Sequence, residues 1–215
     1  MGNENMDMLC DKIRGSLFGG AVGDALGYPI EFFMESEIFS KYGPQGIQEY
    51  TLDEESGKAL ISDDTQMSLF TADGILVAET KLSMGGIGGG PRCYVANSYM
   101  DWLLTQEQSF DKVQRMPQKS REKHISWLLD VPELYSRRAP GNTCISALKG
   151  GTPGCMNDPK NNSKGCGGIM RVAPLGLWHN FHGELKELDR EGAEIAAITH
   201  GHPLGYMSAS ALVHI

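Results

Sequence analysis

Basic surface, paired cysteines and long apolar runs are all scarce in this 215-residue chain. Lysine and arginine number 19 against 27 aspartates and glutamates, for a formal charge of −8. No basic stripe is available to neutralise phosphates, which excludes a general nucleic-acid binder. The five cysteines, Cys10, Cys93, Cys144, Cys155 and Cys166, are odd in number and contain no C-x-x-C pair. They read as reduced thiols in a cytoplasmic protein, not as a disulfide framework or a zinc knuckle. Glu4 and Asp7 stand where a signal peptide needs positive charge, and no apolar run approaches the roughly 20 residues of a membrane span. Runs of β-branched alternation are almost absent and no repeat is evident, so the expected fold is all-α, in a single domain over residues 1–215.

The helical pattern starts with Met8 to Leu26, where Gly15, Gly19, Gly23 and Gly27 recur at i+4 on one face. Each glycine costs about 1 kcal/mol against alanine inside a helix, so the stripe predicts close approach of another helix or a ligand. Residues 35–60, around the turn cluster Gly43-Pro44-Gln45-Gly46, read as an exposed crossing loop. A buried helix is expected over 64–81. The glycine-rich stretch 85–91 lacks the lysine of a phosphate loop and reads as a connector. A helix over 94–104 precedes a polar, proline-punctuated excursion over 105–140, and further helical segments fall near 142–149, 166–178, 190–199 and 204–214. Trp102, Trp127 and Trp178 read as core or interface aromatics, and Met67, Met170 and Met207 as core filler.

The stretch Ile61-Ser62-Asp63-Asp64-Thr65-Gln66-Met67 places two carboxylates between hydroxyls at the mouth of an apolar helical run. Such an all-oxygen set suits a hard divalent cation, Mg²⁺ or Mn²⁺. It equally suits a helix start, with Ser62 as cap and both aspartates facing the positive end of the dipole.

Asn162-Ser163-Lys164-Gly165-Cys166-Gly167-Gly168-Ile169-Met170-Arg171 is the second informative stretch. Its glycines let backbone approach a ligand, and exposed N–H groups at a helix start attract phosphate, with Lys164 and Arg171 adding positive charge. The alternative is a glycine turn entering a helix. Zinc on Cys166, His200 and His202 and a Cys166–His200 nucleophile pair are weaker readings, because nothing in the spacing requires either. His179-Asn180-Phe181-His182 reads as a polar helix end, and Gly141-Asn142-Thr143-Cys144 as a helix start capped at Asn142 or Thr143.

Taken in order, these blocks resemble the ADP-ribosylglycohydrolase family. The resemblance rests on Gly15 to Gly27 with Glu31, Ser62 to Met67, Pro140-Gly141-Asn142-Thr143, Ser163 to Pro174, and Thr199-His200 with Gly205-Tyr206. It implies a compact multi-helix orthogonal bundle and a metal-dependent hydrolase that removes ADP-ribose from a modified protein side chain or related conjugate. It implies two Mg²⁺ ions, with Mn²⁺ as an alternative, on Ser62, Asp63 and Asp64. Glu31 matches a glutamate that acts at the scissile ribose, so Glu31, Asp63 and Asp64 are the candidate catalytic residues. Ser163, Lys164, Gly165, Cys166, Gly167 and Gly168 match the loop gripping ribose and diphosphate, with His200 on the phosphate side. Cys166 stands where some members carry asparagine.

One departure qualifies the resemblance. The family's second acidic motif, of the Gly-x-Asp-Thr-Asp or Asp-x-Asp-Ser/Thr kind, has no match after Asp64. The chain therefore corresponds to roughly the N-terminal two-thirds of a family member, and is expected to be nearly inactive alone and to self-associate through an apolar end at Ala211-Leu212-Val213. Asp24 and Glu31 are the internal acids best placed to replace the missing ligands. The rival expectation is a non-enzymatic, ADP-ribose-binding or crystallin-like relative.

Overall fold

The computed structural model describes residues 3–86, 89–179 and 185–215. Among these residues there are ten α-helices and no strand, only isolated bridges between Leu52 and Ala59 and between Cys155 and Asp158. The fold is all-α, as the missing β alternation implies. No described helix is long and apolar enough to cross a membrane. The chain divides into two compact units, Met1–Thr65 and Gln66–Ile215.

The first unit holds α1 (Asn3–Gly27), a 3₁₀ turn (Tyr28–Ile30), α2 (Glu35–Tyr42) and the first residues of α3 (Asp63–Ser83). Helix α2 lies inside the stretch expected to be loop. Its start is fixed by Glu37, whose carboxylate accepts from the Met34 N–H at 2.7 Å, and its end by Gly43 at φ 81°. The next glycine of the turn, Gly46, also has positive φ, 70°, and donates its N–H to Gly43 O at 3.0 Å. Within this unit, among the described residues, a Cβ added at Gly15, Gly19, Gly23 or Gly27 would meet no atom within 4 Å.

The second unit carries the rest of α3, then α4 (Pro91–Glu107), α5 (Phe110–Gln114), α6 (Gln118–Arg121), α7 (Asn142–Lys149), α8 (Ala173–His179), α9 (Leu185–Ala197) and α10 (Pro203–His214). Its core is built from Met67, Phe70, Val95, Tyr99, Trp102, Leu148, Val172, Leu175, Ile195 and Ile198, all fully or almost fully buried. Helices α3 and α4 meet backbone to backbone at Gly74, where a Cβ would lie 2.6 Å from Val95 Cα. Helix α10 meets α9 and α8 at two further glycines: a Cβ on Gly192 would lie 2.6 Å from Val213 Cγ2, and one on Gly176 2.7 Å from Val213 O. A polar thread crosses this apolar interior. Gln66 Oε1 accepts from Trp102 Nε1 and from Gln106 Nε2, each at 3.1 Å, while Gln66 Nε2 donates to Ser136 O at 2.9 Å.

The 105–140 excursion is more structured than its composition suggests. It contains α5, α6 and two 3₁₀ turns, Trp127–Asp130 and Pro132–Tyr135, and it buries Val113, Leu128, Leu129 and Leu134. The buried carboxylate of Asp101 holds it down, accepting from the Ile125 and Ser126 N–H groups at 2.9 Å each and pairing with His124 Nδ1. Trp102 is core, Trp178 is partly buried against it, and Trp127 is exposed. Of the methionines, Met67 is core and Met170 packs against it, whereas Met207 faces solvent. Val213 is buried beneath α8 and α9, so the apolar end of α10 exposes Leu212 and Ile215 but not Val213. Residues 87–88 of the glycine-rich connector and 180–182 of the expected polar helix end lie outside the described residues.

Candidate functional site

In the first unit the candidate metal residues gather at the start of α3. Ser62 is the cap: its Oγ accepts from the Asp64 N–H at 3.2 Å. A second acceptor comes from α1. Asp24 Oδ2 accepts from the Ser62 N–H at 2.9 Å, the Thr65 N–H at 3.2 Å and the Thr65 hydroxyl at 2.5 Å. The backbone donors that a helix leaves orphaned at its first turn are thus met by a carboxylate 38 residues upstream of Ser62.

Ser62 and Asp63 are buried and Asp64 reaches solvent. Partial burial, then the nearby charges of Asp24 and Glu31, push the Asp64 carboxyl up to about 6. Glu31, at the end of the Tyr28–Ile30 turn, is raised by desolvation and then by Asp24. The helix-cap reading of Ser62 is realised, and the same turn gathers the carboxylates of Asp24, Glu31 and Asp64 near one another. The donor set is all oxygen, and its mutual repulsion is of the kind a divalent cation relieves. Among the described residues, however, no three carboxylate, imidazole or thiolate groups converge closely enough to cage a metal. What these residues offer a cation is a partial set of oxygens, Ser62, Asp63 and Asp64.

In the second unit the glycine loop folds around His200. Asn161 is its clasp: Oδ1 accepts from the Ser163 N–H at 2.9 Å and the Gly201 N–H at 3.2 Å, while Nδ2 donates to Thr199 O at 2.7 Å. Ser163 O accepts from the His202 N–H at 3.2 Å, closing the loop onto the start of α10. Ser163 Oγ accepts from the Gly165 N–H at 3.4 Å and lies 3.3 Å from Thr143 Oγ1. Thr143 does not cap α7, whose cap residue is Gly141 with no side-chain bond.

Gly165, Gly167 and Gly168 each face a neighbour. A Cβ on Gly167 would lie 2.7 Å from His200 Cε1 and 3.1 Å from Nε2, one on Gly165 3.5 Å from Nε2, and one on Gly168 2.9 Å from Gly205 O. The helix expected over 166–178 is in fact a 3₁₀ turn, Cys166–Gly168, and a separate α8 from Ala173. Lys164 and Cys166 are exposed on the loop.

Arg171, expected to add positive charge near the loop, does so from the core. It is wholly buried, with its guanidinium 4.3 Å over the Tyr99 ring and Nη2 donating to Thr199 Oγ1 at 2.7 Å. His200 is 2 % exposed, and burial followed by the Arg171 charge lowers it to about 4. His202 Nδ1 caps α10 by accepting from the Leu204 N–H at 3.0 Å, a structural role. Asn161, Thr143 and Thr199 were not singled out by sequence as site residues in their own right. Only the position of Asn161 just ahead of the glycine run, an Asx turn into a loop, hints at its part.

The ADP-ribosylglycohydrolase family model matches residues 5–215. The uncharacterized protein YegU of Escherichia coli (strain K12) is 27% identical over 177 residues, covering 79% of this chain and 42% of YegU. The chain thus spans less than half the length of that relative. No solved structure matches.

Proposed function

We propose, from the premise that this chain belongs to the ADP-ribosylglycohydrolase family, that it serves the hydrolysis of an ADP-ribosyl conjugate. The observation that carries this is the Ser163–Gly168 loop. Its glycines bring backbone to within contact of His200, where any side chain at 167 would collide. Such a loop suits a diphosphate, which backbone N–H groups and a neutral imidazole N–H can bind without a competing side chain.

The reaction breaks the bond from the anomeric ribose carbon to a side-chain nitrogen or oxygen. A water oxygen bonds to that carbon, and a proton goes to the departing atom. Glu31 is the group to carry that proton, because its raised carboxyl can exchange protons nearer neutrality than an ordinary glutamate. Asp64, raised to about 6, is partly protonated at the acid edge of the working range. Ser62, Asp63 and Asp64 are the residues to hold Mg²⁺, with Asp24 keeping the helix start in place. When bound, Mg²⁺ would orient ribose hydroxyls and acidify water.

The test is single-turnover release of free ADP-ribose from an ADP-ribosylated protein, with Mg²⁺ against chelator. The reading expects release only with Mg²⁺ and its loss in Asp63→Asn and Asp64→Asn. Release that ignores both chelator and these substitutions would contradict it.

A further inference from the structure

We propose that Arg171 and Thr199 are positioning residues that fix His200 as a neutral imidazole with its proton on Nε2, so that the ring presents a hydrogen-bond donor to the Gly165–Gly167 loop.

The argument follows the direction of each hydrogen bond. A guanidinium has only donors. Arg171 spends them on Thr199 Oγ1 at 2.7 Å, Ile195 O at 3.4 Å, Met67 Sδ at 3.4 Å and Cys144 Sγ at 3.5 Å, and its Nε is unpartnered. None of these partners is a carboxylate. Thr199 Oγ1 is therefore an acceptor toward Arg171, and its one hydrogen must point elsewhere. Two acceptors are near: His200 Nδ1 at 2.9 Å and Cys144 Sγ at 4.0 Å. Sulfur is a weak acceptor and lies farther away, so the hydrogen goes to Nδ1. A nitrogen that accepts carries no proton. With Nδ1 bare, a neutral imidazole bears its hydrogen on Nε2.

Burial and the nearby guanidinium work against the doubly protonated ring, which would need Nδ1–H to face a hydroxyl already turned toward it. Nε2 is the edge that faces the loop, 3.1 Å and 3.5 Å from Cβ positions built on Gly167 and Gly165.

This assignment decides what His200 can do. It donates from Nε2, so it does not act there as a general base, does not activate Cys166, and does not offer a lone pair to a metal. It selects an oxygen acceptor on the ligand, and the positive charge of Arg171 behind it, none of whose hydrogen-bond acceptors is a carboxylate, favours an anionic one. The tautomer stands on the protein alone; naming the acceptor as a diphosphate oxygen rests on the functional reading above.

A long-range ¹H–¹⁵N correlation spectrum of the histidine side chains in the whole chain at neutral pH tests the proposal. His200 is identified by the signal lost in His200→Ala. The expected spectrum has Nδ1 unprotonated and Nε2 protonated. Thr199→Val, which keeps the shape and removes the hydroxyl, should redistribute the proton and weaken ADP-ribose binding by about tenfold. Thr199→Ser should restore both. A wild-type His200 protonated on Nδ1, or a Thr199→Val spectrum identical to wild type, would overturn the proposal. Should Thr199→Val not fold, the wild-type spectrum decides the tautomer unaided. An Nε2–H tautomer with no ADP-ribose binding would uphold the relay and overturn the ligand assignment instead.

Discussion

Three hydrogen bonds converge on one oxygen, Asp24 Oδ2, and they join α1 to the start of α3. Removing such a long-range cap leaves backbone donors unmet at a helix N-terminus. Asp24→Ala is expected to cost about 2 kcal/mol in urea unfolding. Asp24→Asn keeps an acceptor and removes a like charge, so it should cost less and let the Asp64 carboxyl fall from about 6 toward the ordinary range. Carboxyl titration by NMR reads that shift; an unmoved Asp64 would mean that burial and Glu31 raise it without Asp24.

His200 gives a pH prediction of opposite character. Its imidazole is lowered from 6.5 in the unfolded chain to about 4 in the fold, by burial and then by Arg171. Between those values the unfolded chain binds the extra proton and the folded chain does not. The stability tied to neutral His200 is thus present above pH 6.5 and lost as pH falls toward 4, a change on the order of 3 kcal/mol. The stability difference between wild type and His200→Gln should shift against the wild type over that window. A difference that is flat with pH would show that His200 titrates normally.

At the scale of elements, Gly74 carries a backbone-to-backbone helix crossing in the second unit. Gly74→Ala would gain about 1 kcal/mol of helix propensity but drive a methyl into the Val95 backbone, 2.6 Å from its Cα. The expected net result is a loss of about 2 kcal/mol or more. Gly19→Ala, with nothing within 4 Å, should instead stabilise the chain by about 1 kcal/mol. Paired urea titrations check both signs.

The same contrast marks what pattern reading could reach. The i+4 glycines of α1 stood out in the sequence and meet no described residue of their own unit, whereas Gly74, Gly176 and Gly192 stand alone in helical runs and each makes a close approach. Spacing advertises a stripe, but only the fold says which glycine meets a neighbour. Helix α7 fell at the residues expected, and α3 and α10 within two, because long apolar periodicity sets them. Helix α2 was missed because it buries none of its residues and depends on the Glu37 box and Gly43. The 105–140 excursion was read as polar because its core residues are spaced by short turns with no helical period.

For the molecule as a whole, the candidate site segments could be picked out along the sequence, and the residues that hold them in place could not. Ser62, Asp63, Asp64 and the glycine loop are contiguous in sequence, so composition reveals them. Asp24, Asn161, Thr143 and Thr199 also make bonds over 20 to 41 residues of separation, which no local window contains. Arg171 shows what local reading leaves open: a cation beside a glycine loop could face either way, and its side chain turns into the core to hold Thr199.

The central claim is that the Ser163–Gly168 loop with His200 holds ADP-ribose. Calorimetric titration of ADP-ribose into the chain, beside the same titration of Gly167→Val, tests it most directly. Valine at 167 would occupy the space in which a Cβ already lies 2.7 Å from the His200 ring, while the glycine's own backbone conformation is ordinary. The account predicts one ADP-ribose bound per wild-type chain and none by Gly167→Val, with the helical circular dichroism of the two chains alike. Equal binding by both chains, or no binding by either, would contradict it.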